Sequence, residues 1–184
     1  MGFERPTGIS YTLALHNKEL IVATRQIQVQ RFSVTSSKLF AKVVAVVDAA
    51  IGHPDMKAFS TDVAAAKTYP ELEEVVRKVL GPSELMEFTR FDLGAILRKE
   101  KGEAARNSVR LVGNPLIMKR MVEHVPDAGS YAPVTILIDE RADGVHLSYD
   151  RMASFLDPYG NEEALKVARD LDSKVESLLA AAAA

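Results

Sequence analysis

The sequence predicts an α+β domain built on an antiparallel sheet, and three observations predict it. Apolar and polar residues alternate with a period of two near the N-terminus, the pattern of half-buried strands. Asp143-Gly144 joins two apolar runs as a tight hairpin, because this pair accepts the positive backbone angles that such turns demand. Elsewhere apolar residues recur at helical spacing, most clearly at Leu165, Ala168, Leu171, Val175 and Leu178.

Tyr11, Leu13 and Leu15 alternate with Thr12, Ala14 and His16, and Asn17-Lys18 supplies a turn into the run Glu19 to Thr24. Gln26 to Gln30 alternates again and puts its glutamines on one face, which suits a solvated sheet face or a polar cavity lining. Thr35-Ser36-Ser37 offers N-cap hydroxyls to a helix carrying Leu39, Val43, Val46, Val47 and Ala50, which Gly52 and Pro54 end. Thr68-Tyr69-Pro70-Glu71 reads as a capping box: the Thr68 hydroxyl accepts from the Glu71 amide, and the Glu71 carboxylate accepts from the Thr68 amide. Leu72, Val75, Val76 and Val79 form that helix's buried face, and Gly81-Pro82 stops it. Strands are expected over Leu85 to Phe91, Ala95 to Arg98 and Ser108 to Val112, with Lys99 to Asn107 as an exposed loop. Asn161 caps the last helix, with Glu162 and Glu163 at its positive end, and Ala180 to Ala184 reads as a fraying tail.

No repeat or linker divides the chain, so residues 25–184 read as one α+β domain preceded by an N-terminal strand extension over residues 1–24. With 184 residues, 47% of them hydrophobic and 26% charged, the chain is ordinary for a folded domain. A chain of this length removes about 70% of its unfolded surface from water without staples. A net charge of −2 gives no basic field for a nucleic-acid backbone, so no nucleic-acid partner is expected. The absence of cysteine excludes disulfides, iron–sulfur clusters and thiol nucleophiles. Met1 to Thr7 lacks the regions of a signal peptide, and no apolar run approaches the roughly 18 residues of a membrane span, so a cytoplasmic location without membrane contact is expected.

The richest stretch runs from Val112 to Tyr149. Gly113-Asn114-Pro115 is a strand-to-helix junction in which glycine permits an unusual backbone angle, asparagine caps and proline fits the first helical position. Free amides at a helix start attract anions, so Gly113, Asn114, Lys119 and Arg120 are candidate ligand-binding residues; the competing reading is a capped helix that binds nothing. Tyr131 to Asp139 is a nearly continuous apolar strand and hence central in its sheet. The return strand sends Val145, Leu147 and Tyr149 to one face and His146 and Ser148 to the other.

Taken together, Gly113-Asn114-Pro115, Pro133 to Asp139, Asp143-Gly144 and Ser148-Tyr149 resemble domain-of-unknown-function family 302. Phe91-Asp92-Leu93-Gly94-Ala95 is similar to the family's aspartate-histidine segment, with Leu93 where a histidine is usual. Ala132-Pro133 replaces the usual leucine-proline, and Asp150-Arg151 the usual aspartate-proline. The likeness covers about residues 88–179 well and 27–52 loosely, while residues 1–23 and the helical region about 55–82 look like additions. The resemblance implies a fold like that of the TATA-binding protein, a curved antiparallel sheet with helices packed on one face. It also implies homodimers that meet through their sheets, and it implies no reaction.

His146, Ser148 and Asp150 share a face but do not form a catalytic relay, since alternate strand residues stand about 6.6 Å apart. The histidines show no zinc-ligand spacing, so no dedicated metal site is expected; Glu123-His124 and Asp127 would need ligands from elsewhere. A haem ligand is conceivable in His146 or Tyr149. The best catalytic candidates are Asp92, His146 and Tyr149, although strict alternation sends Tyr149 to the face opposite His146. The leading expectation is a small-ligand-binding or protein-interaction domain, homodimeric through its sheet, taking a small anionic or apolar ligand. The rival is a metal-independent acid–base enzyme with a concave pocket near His146 and Asp92. A structural subunit of a larger assembly is a third reading.

Overall fold

The structure is a computed structural model that describes residues 10–15, 18–101 and 106–184. Two strands, β1 (Ser10–Leu15) and β2 (Lys18–Ala23), pair as a separate antiparallel hairpin, and the expected turn at Asn17 falls outside the described residues. The main sheet has five strands: β3 (Arg31–Ser36), β4 (Met86–Asp92), β5 (Asn107–Gly113), β6 (Val134–Arg141) and β7 (Gly144–Asp150). Their order is β3-β7-β6-β5-β4 and every neighbouring pair is antiparallel. The helices are α1 (Phe40–Ala50), α2 (Met56–Ala65), α3 (Tyr69–Val79), α4 (Leu93–Lys101), α5 (Pro115–Val122), α6 (Met152–Leu156) and α7 (Glu162–Ala183).

The apolar strand β6 lies at the sheet's centre, as its composition predicts. Val134, Ile136 and Ile138 are buried on one face, beside Leu147 and Tyr149 of β7 and Val112 of β5. α7 covers this face with Leu165, Ala168, Leu171, Val175 and Leu178, all buried, and α1, α5 and α6 pack against α7. Burying each of the larger of these side chains stabilises the fold by about 1.5–3 kcal/mol.

Several local expectations give way to pairing. Gln26 to Gln30 is not a strand; β3 begins at Arg31, where Phe32 and Val34 pair with Tyr149 and Leu147 and reach the core. The glutamines instead line a polar cleft of about 980 Å³ with Arg151, Arg169 and Glu176. Because Thr35 and Ser36 lie in β3, they do not cap α1; Leu39 holds that position without a side-chain bond. The Ser36 hydroxyl donates to the Ala183 carbonyl at 2.7 Å, and Ala182 is fully buried, so the expected fraying tail is the ordered end of α7. Only Val43 and Val47 of the α1 stripe are buried, while Leu39 and Val46 stay exposed.

Ala95 to Arg98 is helical rather than a strand. β5 already has β4 and β6 on its two sides, and Asp92 caps α4 by accepting from the Ala95 amide at 3.0 Å. α3 has the expected Thr68 cap, but the Glu71 carboxylate accepts from the Lys67 amide at 2.7 Å, one residue before the amide expected.

The two glycine helix stops meet. Gly52 and Gly81 both donate to the Leu85 carbonyl at 2.9 Å, and Gly52 bridges to Met86 at the start of β4. A methyl on Gly52 would stand 1.8 Å from the Val79 carbonyl oxygen, and one on Gly81 2.3 Å from the Ile51 carbonyl carbon. Gly81→Ala should therefore lower the unfolding free energy by about 2–3 kcal/mol in a urea titration, because backbone cannot yield as a side chain does.

Candidate functional site

Among the described residues, no helix covers the second face of the sheet as α7 covers the first. Val109 and Leu137, a cross-strand pair, lie on it, with Thr135, Ser148 and His146. Together with Leu93, Tyr131 and Phe155, Val109 and Leu137 line a hollow of about 510 Å³, within the usual size range of small-ligand sites. The Tyr131 and Phe155 rings stack at 4.9 Å. Arg31 and Asp150, also in the lining, form a two-pronged ion pair at 2.6 and 2.8 Å. Asn107 contributes a buried side-chain oxygen that has no donor among the described residues. Beyond the hollow, Phe91, Leu93, Ile96 and Leu97 are exposed, an apolar ridge at the end of β4 and along α4.

The catalytic candidates are not brought together. His146 bonds to Asp143 through Nε2 at 2.8 Å and meets the Thr35 hydroxyl through Nδ1 at 3.3 Å. Asp92 binds Arg98 at 2.8 Å and lies on β4, three strand spacings or roughly 14 Å from β7. Tyr149 points into the core, as alternation requires, and its hydroxyl donates to Asp172 at 2.5 Å. Burial beside Asp172 pushes the Tyr149 phenol up, so it stays a hydrogen-bond donor.

The helix start at Asn114 is self-satisfied in part. Asn114 accepts from the Leu116 amide and donates to the Glu84 carbonyl, both at 2.9 Å. Gly113 ends β5 with an ordinary backbone angle, and an added methyl would meet Phe88 at 3.4 Å, an ordinary contact, so neither the angle nor the space demands glycine there. Lys119 and Arg120 fall in the last turn of this eight-residue helix, at the end opposite the free amides. Lys119 pairs with Glu123 and lies over the Tyr69 ring, while Arg120 and Asn114 share a cleft of about 540 Å³ with Glu73, Glu84 and Asp170.

Sequence reading missed a charged cluster at the helix side of the sheet edge. Arg110 of β5 is wholly buried, and its Nη1 donates to Asp48 of α1 and, at 3.4 Å, to Glu87 of β4. Arg90 donates to Asp48 at 2.6 Å and to both Glu87 oxygens at 3.1 and 3.2 Å. His53 lies 3.9 Å from Asp48 Oδ1 and 3.8 Å from Glu87 Oε1. Burial pushes the Asp48 carboxyl up, but the guanidiniums of Arg110 and Arg90 outweigh it and hold the group below its ordinary range. One signal was available: Arg110 alternates in phase with Val112, which places a charge on the core face of its strand.

The family sequence model described as "Domain of unknown function DUF302" matches residues 59–182. The chain belongs to DUF302. A crystal structure of an uncharacterized conserved DUF302 protein from Bacillus stearothermophilus shares the fold at a TM-score of 0.53 and 10% identity, covering 83% of this chain and 94% of that one. No curated protein matches the sequence. The DUF302 match takes in Glu87, Arg90 and Arg110, whereas Asp48 and His53 precede it. No helix among the described residues is long and apolar enough to cross a membrane.

Proposed function

We propose that this DUF302 chain is a binding domain whose working surface is the open face of its five-stranded sheet. A second copy docks there through its own sheet, and the hollow between Leu93, Leu137 and the Tyr131–Phe155 stack takes a small, largely apolar molecule. The observation that carries this reading is the apolar ridge of Phe91, Leu93, Ile96 and Leu97 beside that hollow. Contiguous exposed apolar surface of this kind marks interaction sites on soluble proteins. A cytoplasmic location belongs to the same reading and is supported by the cysteine-free composition. The distance between His146 and Asp92 weighs against the acid–base alternative, since a proton relay needs contact or one bridging water.

Ile96 is 69% exposed and contributes to no buried core. Ile96→Glu should therefore shift the chain from dimer to monomer in sedimentation velocity while leaving its circular dichroism spectrum unchanged. A wild-type chain that sediments as a monomer across the accessible concentration range would defeat the docking reading. Native mass spectrometry of protein from its natural host tests the ligand: an extra small-molecule mass is expected, and its absence would remove the ligand from the reading.

A further inference from the structure

We propose that Asp48, His53 and Glu87 form a three-ligand site for a transition-metal dication of the zinc class, which enters by displacing Arg90. The inference does not rest on the open-face reading. The three residues come from α1, the loop after it and β4, and one ligand atom from each lies within 4.8 Å of the others. Imidazole nitrogen and carboxylate oxygen are the ligand types that zinc-class ions take up alongside thiolate.

The histidine is oriented for the task. His53 Nε2 donates to the Asp48 backbone carbonyl at 3.0 Å, which makes Nδ1 the nitrogen that a metal would take. Metal-ligating histidines are commonly held this way, with the second nitrogen donating to a carbonyl. Nδ1 lies 3.8 Å from Glu87 Oε1, too far for a hydrogen bond. Two ligand atoms about 2.1 Å from a tetrahedral zinc stand roughly 3.4 Å apart, so the Nδ1–Glu87 pair at 3.8 Å must close slightly and the set as a whole, within 4.8 Å, must draw together further.

A second observation concerns the group that holds both carboxylates. Arg110 is 0% exposed and reaches the same carboxylates, yet its buried Nε and Nη2 have no acceptor among the described residues. A buried, unsatisfied donor is destabilising and uncommon. Three protein ligands leave a fourth metal position for water, and that water brings an acceptor oxygen to the neighbourhood of this guanidinium.

Charge decides how the ion enters. Two carboxylates and two guanidiniums already balance, so a dication added to all four would be repelled. Arg90 is 37% exposed on the edge strand and can turn into solvent, whereas Arg110 is enclosed and stays as the group that orients both carboxylates. Arg90 is thus the resident cation, and the metal competes with it.

The test uses the full chain, stripped with chelator and titrated with Co²⁺ by visible absorption and with Zn²⁺ by equilibrium dialysis. One dication per chain is expected, with a Co²⁺ spectrum of nitrogen and oxygen ligands. His53→Ala, at a half-exposed side chain that leaves the fold intact by circular dichroism, should weaken binding by at least roughly tenfold. His124→Ala should leave it unchanged. Arg90→Gln should tighten binding severalfold by removing the competitor. Uptake by the wild type no greater than that of His53→Ala would overturn the site, and Arg90→Gln binding no tighter than wild type would overturn the displacement.

Discussion

Asp48→Ala is expected to lower the unfolding free energy by about 3 kcal/mol, because it strips a buried guanidinium of its closest partner. Arg110 has no exposed surface, and two of its nitrogens already lack acceptors among the described residues. Without Asp48 it retains only Glu87, at 3.4 Å. Replacing both members should be milder than replacing one: Asp48→Ala with Arg110→Met removes the stranded charge and leaves Arg90 paired with Glu87. Urea titrations of both single variants and the double variant check this, and a loss below about 1 kcal/mol for Asp48→Ala would mean that the pair is not holding α1 to the sheet. The acid limb carries a sign. A carboxyl held low in the folded state contributes stability that is present above its unfolded value and lost as the pH falls through its folded value. Asp48→Asn should accordingly flatten the loss of thermal stability on acidification.

Asp172→Ala should be comparably damaging, at about 3 kcal/mol, through loss of buried hydrogen bonds rather than of an ion pair. Asp172 of α7 accepts from the Tyr149 hydroxyl at 2.5 Å, the Met152 amide at 2.7 Å and the Ala153 amide at 3.1 Å. α6 has no side-chain cap of its own at Arg151, so its first amides depend on a residue from another helix. Alanine would remove the acceptor of the Ala153 amide and of the Tyr149 phenol, and would leave the Met152 amide only the Tyr149 oxygen at 3.1 Å. Tyr149→Phe removes one donor and leaves the Met152 and Ala153 amides bonded to Asp172, so about 1 kcal/mol is expected. Burial pushes Asp172 up, against the pull of the bonds from Tyr149, Ala153 and Met152. A raised carboxyl takes up a proton on folding, so its contribution falls as the pH rises through the carboxylate range. Asp48 and Asp172 therefore tilt the pH–stability profile in opposite directions. Thermal melts of Asp48→Asn and Asp172→Asn from acid to neutral pH separate the two, and parallel profiles would contradict this assignment.

Much of the fold was legible because its signals are local. The hairpin, whose turn pair is Ala142-Asp143 with the positive angle on Gly144 rather than on both residues of the expected Asp143-Gly144 pair, the Asn114 and Asn161 caps and the α7 stripe each depend on a few neighbouring residues. Where alternation continued outside the sheet, it misled. Gln26 to Gln30 has the strand period but lies before the residues that pair with β7, and Ala95 to Arg98 is apolar but follows a strand whose neighbours are complete. The candidate site was less legible still. Residues 48, 53, 87, 90 and 110 form no motif, because their spacings in the chain carry no common period.

By itself the sequence determined the α+β class, the central apolar strand β6, the stretch from Gly113 to Tyr149 and the opposite orientations of His146 and Tyr149. Only the tertiary structure decided that Asp92 stands apart from His146, that Tyr149 serves Asp172, that Ala183 ties down the end of α7, and that Arg110 draws Asp48 and Glu87 around it. The reason is range. Helix caps, turns and side-chain alternation are set by steric and hydrogen-bonding preferences over a few residues, whereas a charge is partnered by whatever the sheet order and the helix crossing bring within a few ångströms of it.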